Sequence, residues 1–483
     1  MKRNIKNIFA ILSAGFLFGC SASFLDIPPE GQETPDAPSP KSVEQAVTAV
    51  YQKFYAWNMY SFSWMGVASI TSDNADKGSD PGDTGGDKHQ MESFTYTPSA
   101  QSVQDLWTGN NDGISRVNRA MQMLNNVEGM DTITWNHRMG ECLFLRGNFY
   151  WNMYRVYGGV PLIDFVPDIN VDEHYTKVFQ RATAEETLEF LITDFTNALD
   201  YLPENQESGE IGRVNKWTAL AFLAKAEMYR ENWEAVKKHT DAIINSGRYQ
   251  LVADFDWLFR EAGEHNSESI FEISCRAEIP ARCIDKFTLV QNIRGQFGWG
   301  FNTPSTDLAD AFEEGDIRKA GTLLTPGETL WDDVVVNPNA PNPYYNKKAY
   351  ISETRESFFG QRANSNKNLR LMRYAEVLLM NAEAEAALGN NAIALERLNQ
   401  IRQRAQLAPL QGLSGELLQR AIWKERRMEL AMEFDRFFDL VRQGRGQEVL
   451  GAKGFQAGKH EVFPIPQEEI TISNGILKQN PGY

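Results

Sequence analysis

Apolar residues recur every three or four positions along most of the chain. In "KWTALAFLAKAEMYR", Trp217, Leu220, Ala221, Ala224 and Met228 share one helical face. After the short "EN", "WEAVKKHTDAIINSG" aligns Ala235 with Ile243 and stops at Gly247, a residue suited to closing a helix. Two helices joined by so few residues lie antiparallel. "LRLMRYAEVLLMNAEAEAALGNN" sets Leu371, Tyr374, Ala375, Leu378, Ala382 and Ala386 together, and "AIALERLNQIRQRA" then aligns Ala394, Leu398 and Ile401. The same spacing predicts helices over 42–57, 103–127, 136–157, 183–201 and 414–442.

The expected fold is therefore mostly all-α. Small alanines let paired helices approach closely, as in hairpins of the tetratricopeptide kind. Two regions break the pattern. Residues 66–102 are rich in Gly, Asp, Ser and Pro, and 250–350 mix short β-like runs such as "SIFEIS" with "GQFGWGFNTPS". Long irregular segments in a compact body usually carry function.

The first residues follow a different rule. Lys2, Arg3 and Lys6 precede an apolar run from Ile8 to Phe18, which stops at "LFGC". That is the layout of an export signal, too short to span a bilayer. Leu17-Phe18-Gly19-Cys20 resembles a bacterial lipobox, in which the chain is cut before the cysteine and Cys20 is acylated. An ordinary signal with an incidental cysteine is the alternative. Acyl chains would tie the protein to a membrane at about 0.8 kcal/mol per buried CH₂. The segment from Ser21 to Pro40 has little to bury and reads as a flexible tether.

With 483 residues, 42% hydrophobic and 11% aromatic, the chain can build a large core. Its net charge of −16 repels phosphate backbones, which excludes nucleic acid as a partner and favours uncharged or cationic ligands. With Cys20 acylated, Cys142, Cys275 and Cys283 remain, an odd number. Cys142 sits in an apolar helical stretch and reads as a buried thiol. Cys275 and Cys283 stand open to pairing or not. No zinc spacing, nucleophile elbow or phosphate loop occurs, and the six histidines are scattered. No catalytic residue is assigned and no cofactor is expected.

Three segments carry candidate chemistry. In "KERRMELAMEFDRFFDL", Glu425, Glu429 and Glu433 stack at four-residue intervals, with Arg426, Arg427, Arg436 and Arg442 nearby. Like charges at that spacing repel, so they predict a structural ion network, not a catalytic pair. "SDNADKGSDPGDTGGDKH" offers Asp73, Asn74 and Asp76 as acceptors for sugar hydroxyls. Within it, Asp76, Asp80 and Asp83 form a weak structural calcium candidate, at spacings unlike an EF-hand, beside the plain reading of a solvated loop. Sugars stack their C–H faces on aromatic rings. Trp57 and Trp64 precede the acidic loop, while Phe297, Trp299 and Phe301 alternate with Gly298 and Gly300. Glycines there would let a ligand approach the backbone, although alternation equally fits a half-buried strand. Trp64, Phe297, Trp299 and Phe301 join Asp73, Asn74 and Asp76 as ligand-binding candidates.

Together the motifs resemble the SusD/RagB family of outer-membrane lipoproteins. The matching pieces run in order through the chain: "SFLDIPPEG" after the lipobox, "LWTGNNDGISRVNRAMQML", "ECLFLRGNFYWNMYRVYGGVPLI", "RATAEETLEFLITDFTNALDYLP", "KERRMELAMEFDRFFDLVRQG" and "VFPIPQEEI" through "LKQNPGY". The resemblance implies four tetratricopeptide-like hairpins packed against an irregular ligand-binding part. It implies a lid on a SusC-like TonB-dependent transporter, which binds an oligosaccharide (in some members a peptide) without cleaving it. It places the ligand surface by position at 58–100 and 275–305. The expected organisation is a signal at 1–19, a tether at 20–41, and one integrated body. That body comprises a helical region at 42–250, an irregular insert at 251–365, helices at 366–445 and an extended tail at 446–483. A surface glycoside hydrolase and a protein-binding scaffold are the rival readings. The first needs two carboxylates about 5–10 Å apart in a cleft.

Overall fold

The computed structural model describes residues 37–483 except 169, 207–208, 280–281 and 360–362. Cys20, the leader and most of the tether lie outside the described residues.

Helix α1 (Pro40–Gln52) starts where the Ser39 side chain accepts the Ser42 amide at 3.2 Å and Pro40 opens the first turn. Helices α2 (Gln101–Asn126) and α3 (Thr132–Tyr157) follow. Helix α4 (Ala184–Ala198) opens with a reciprocal cap between Thr183 and Glu186. Next come α5 (Lys216–Tyr229) and α6 (Trp233–Asn245), the latter closed by Gly247 at φ 66. The C-terminal half adds α7 (Tyr374–Ala387), α8 (Asn391–Arg404), α9 (Gly415–Glu429) and α10 (Arg436–Arg442).

Each helix from α2 to α8 packs on the next, and α6 meets α7 directly across the insert. The mostly helical, tetratricopeptide-like stack is thus continuous. Helices α5 and α7 are buried nearly all round, because each is covered by neighbours on both sides. A single core cluster reaches from Val43 to Leu477. The tail lies along it: Phe463 N–H donates to the Val156 carbonyl at 2.7 Å, and Tyr483 stacks on Tyr96. Among the described residues no helix is long and apolar enough to cross a membrane.

Among the described residues, six short strands form three antiparallel pairs. Strand β1 (Ala75–Gly78) pairs with β3 (Phe301–Pro304), β2 (Ser269–Ile273) with β6 (Leu369–Arg373), and β4 (Leu323–Leu324) with β5 (Tyr345–Asn346). Strand β6 runs straight into α7. Leu371, expected on a helical face, is a strand residue, because the partner edge of β2 overrides the local pattern.

The predicted helix over 414–442 is likewise two helices. Met432 (φ 65) and Phe434 (φ 72) break it in left-handed backbone. That conformation costs roughly 1–2 kcal/mol per residue. In return Glu433 reaches Lys348 (2.7 Å) and Arg373 (2.8 Å), and Asp435 reaches Lys225 (2.5 Å) and Arg155 (3.0 Å). The ion network is structural, with one change of partners. The stacked glutamates are neutralised from other elements: Glu425 by Arg318 (2.6 Å) and Arg402 (3.0 Å), Glu429 by Arg373 (3.0 Å), Arg318 (3.3 Å) and Arg404. The nearby arginines pair with other carboxylates, Arg426 with Glu376 (2.6 Å) and Asp439 (2.7 Å), Arg442 with Glu383 (2.7 Å) and Asp439 (3.2 Å). Cys142, Cys275 and Cys283 are buried free thiols.

Burial opposes ionisation of Glu429, yet Arg404, Arg373 and Arg318 outweigh it and hold the carboxyl well below the usual carboxylate range. A folded-state value below the unfolded one gives stability that is present above the ordinary glutamate value of about 4.3 and is lost as pH falls further. Urea unfolding should therefore show a midpoint that drops as pH is lowered from 5 to 3. Glu429→Gln should lower the unfolding free energy at pH 7 by about 3–5 kcal/mol, by stranding buried arginines, and should flatten that acid slope.

Candidate functional site

Pairing of β1 with β3 joins the two irregular regions into one surface. The register sets Asp76 opposite Thr303 and Gly78 opposite Phe301. Ser79 N–H donates to the Gly300 carbonyl at 2.6 Å, Ser305 Oγ donates to the Asp73 carbonyl at 2.6 Å, and Arg294 donates to Asp80 at 2.6 and 3.0 Å.

Asp73 and Asn74 anchor this unit to the helices and do not face a ligand. They are 8% and 2% exposed. Arg436 grips Asp73 through two hydrogen bonds of 2.7 Å, Arg427 lies 3.1 Å from the same carboxylate, and Arg427 Nε donates to Asn74 Oδ1 at 2.8 Å. Burial raises the Asp73 carboxyl, but Arg436 and Arg427 outweigh that and leave it below its ordinary value.

The acidic loop supplies its own cations. Lys77 Nζ donates to the carbonyls of Asp83 (2.6 Å), Gly78 (2.7 Å) and Asp80 (3.2 Å), so an ammonium fills the place a metal ion would take. The three carboxylates proposed for calcium do not converge. Asp80 pairs with Arg294, Asp83 accepts from Ser79 Oγ and Gly85 N–H (3.1 Å each), and Asp76 lies 3.7 Å from Lys453. Among the described residues, no group of three or more His, Cys, Asp or Glu side chains is arranged to hold a metal.

The aromatic candidates separate into three places. Trp64 is only 3% exposed, packed between Tyr60 and Phe438 with the Arg155 guanidinium over its ring, so it offers no face to a ligand. Phe297 turns the opposite way from Trp299, onto Tyr350 and a separate core cluster with Ile293 and Val336. Phe301 is buried against Phe62 at 4.9 Å. Trp299 alone of these candidates combines part exposure with a neighbouring tryptophan. Its ring lies 6.5 Å from that of Trp57, and Phe62 backs both. Lys286 Nζ sits 4.9 Å from the Trp57 ring and 5.9 Å from the Trp299 ring.

The glycines beside Trp299 have a different use from the one expected. A Cβ at Gly298 would stand 2.3 Å from the Leu289 carbonyl. At Gly300 (φ 74), one would stand 2.6 Å from Arg294 Cβ. They permit close approach of the chain to itself, which fixes Trp299 in place. Lys286 carried no signal in the sequence; its role arises from the turn that brings it over two distant rings. The half-buried pair, with a cation over its rings, suits a flat ligand with an apolar face and hydroxyls at its rim.

Residues 267–483 match the SusD family, and residues 23–228 match a family described as starch-binding, associating with the outer membrane. A SusD-like protein of Formosa agariphila is 27% identical over 97% of both chains. A laminarin-binding SusD-like protein of known structure is 26% identical, covers 92% of this chain and 100% of its own, and superposes with a TM-score of 0.80. Surface glycan-binding protein A from Bacteroides thetaiotaomicron, solved with laminarihexaose, is 23% identical over 92% of this chain and 100% of its own, with a TM-score of 0.76.

Asp73→Asn should destabilise the fold by about 3–5 kcal/mol and raise amide exchange in β1 and β3, since buried Arg436 is then left without a counter-charge, while Arg427 keeps Asp307. Trp64→Ala should cost about 3–5 kcal/mol in urea unfolding as a core deletion, and Trp299→Ala clearly less.

Proposed function

The chain belongs to the SusD family, and from that premise we propose that it captures oligosaccharide at the Trp57–Trp299 pair and hands it to a TonB-dependent outer-membrane transporter. A member of this family is a non-catalytic, outer-membrane-associated glycan-binding protein. The observation that carries the residue-level reading is the partly exposed tryptophan pair under Lys286. The two rings accept the C–H faces of sugar residues, and Lys286 donates to hydroxyls at their rim.

The proposed ligand is a β-glucan of the laminarin type. Support comes from the laminarin-binding protein and the laminarihexaose complex among the structural relatives. Acylation at Cys20 would hold the protein at the outer membrane through the tether, free to close over its partner. Stacking transmits no force to a glycosidic bond, so the sugar passes on intact.

Titrating laminarihexaose into protein that begins after Cys20 should give saturable binding, seen by calorimetry. Trp57→Ala and Trp299→Ala should each weaken it roughly tenfold, about 1.4 kcal/mol, with no shorter products on chromatography. Full-strength binding by both variants would remove the pair from the site. In cells, Cys20→Ser should move the protein from the membrane to the soluble fraction.

A further inference from the structure

A cleft lies near the tryptophan pair in the chain. It measures about 280 Å³ and lies between the end of α1, the turn at 209–213, and β2 with the chain that follows it. Tyr55 forms one wall, two residues before Trp57, and its carbonyl accepts the Asp285 amide at 2.9 Å, next to Lys286. The cleft and the tryptophan pair are thus linked through one backbone hydrogen bond.

The floor is aromatic, from buried Phe54 and Phe271. Tyr51 and Tyr55 are half-buried, and their hydroxyls are fixed. Tyr55 donates to the Ser274 carbonyl at 2.7 Å, and Tyr51 accepts the Val214 amide at 3.2 Å. The polar lining is cationic. Arg213 is held by Glu141 (2.6 Å) and Thr48 (3.1 Å). Arg276 and Arg282 stand exposed at the mouth. Arg276 N–H donates to the Arg282 carbonyl at 2.8 Å, which draws the two residues together across a turn.

Neither Arg276 nor Arg282 has an ion-pair partner among the described residues. Both guanidiniums are therefore open to an outside anion. The acidic group that borders the cleft is already committed. Glu272 is buried, accepts from Asn368 Nδ2 at 2.9 Å and faces Arg370 at 3.6 Å. Exposed Glu278 on the turn and half-buried Asp285 are the nearby counter-charges in sequence, against Arg276, Arg282 and Lys286.

We infer that this cleft takes a single hexuronate residue of a longer oligosaccharide, its ring on the tyrosine and phenylalanine surface and its carboxylate between Arg276 and Arg282. Guanidinium forks match a planar carboxylate in geometry as well as charge. The volume lies at the lower limit of small-ligand sites, about 300 Å³, and suits one ring and not a chain. A local arginine pair also answers the repulsion that the overall charge of −16 sets up against an anion. The inference rests on the glycan-binding reading above and extends it from a neutral glucan to one carrying acid units.

The test compares two probes by calorimetry in low salt: a laminari-oligosaccharide ended by glucuronate, and the neutral oligosaccharide of equal length. The native protein should bind the acidic probe about tenfold more tightly. The double variant Arg276→Gln/Arg282→Gln, altered only at exposed positions, should bind both probes alike, with neutral binding and urea midpoint unchanged. Equal binding of both probes by the native protein, or a preference that survives the double substitution, overturns the inference and leaves the neutral-glycan reading standing. Failure of both probes to bind overturns both readings.

Discussion

One buried carboxylate ties the three parts of this protein together. Asp73 leaves the N-terminal loop and is gripped by Arg436 of α10 and Arg427 of α9, while its carbonyl holds Ser305 at the end of β3. Loop, insert and C-terminal helices are fixed by this one residue and its neighbour Asn74. A buried carboxylate facing one arginine is at best marginal, since desolvation of both charges offsets their attraction. With two guanidiniums the balance tips toward the charged form, and the fixed geometry selects one arrangement of β1 against β3. The surface that carries Trp299 depends on that arrangement.

The same logic recurs beneath the site. Glu429 and Asp435 are each surrounded by several cations from distant elements. Removing any one partner of such a network leaves an uncompensated buried charge. These networks oblige the chain to break at Met432 and Phe434, and the break places α10 where Arg436 meets Asp73. Rigidity at the tryptophan pair follows from charge placement two layers down. A pre-formed aromatic face spares a ligand the ordering entropy that a mobile loop would impose.

The helical stack was legible because burial forces a 3.6-residue period onto every packed helix, and the expected helix over 183–201 begins at the residue that caps α4. Long-range pairing was not legible. Leu371 carries a helical pattern yet belongs to β6, because only the fold supplies β2 beside it. The site divides in the same way. Regions 58–100 and 275–305, placed by family resemblance, do meet through β1 and β3. Within them, residue type alone could not separate an exposed ring from a buried one. Trp64 and Trp299 look alike in sequence, but one lies under Phe438 and the other beside Trp57. Asp73 and Asn74 have the chemistry of sugar acceptors, yet arginines more than 350 positions away claim them. Lys77, one of two lysines within that acidic run, is the cation that the loop carbonyls gather around.

The direct check is a crystal structure of the protein, truncated after Cys20, with laminarihexaose bound. The account predicts sugar rings lying on Trp57 and Trp299 with Lys286 at hydroxyl distance, every glycosidic bond intact, and Asp73 still clamped by Arg436 and Arg427. Sugar seated on another face with the tryptophan pair bare, or a hexasaccharide found cut, would contradict it.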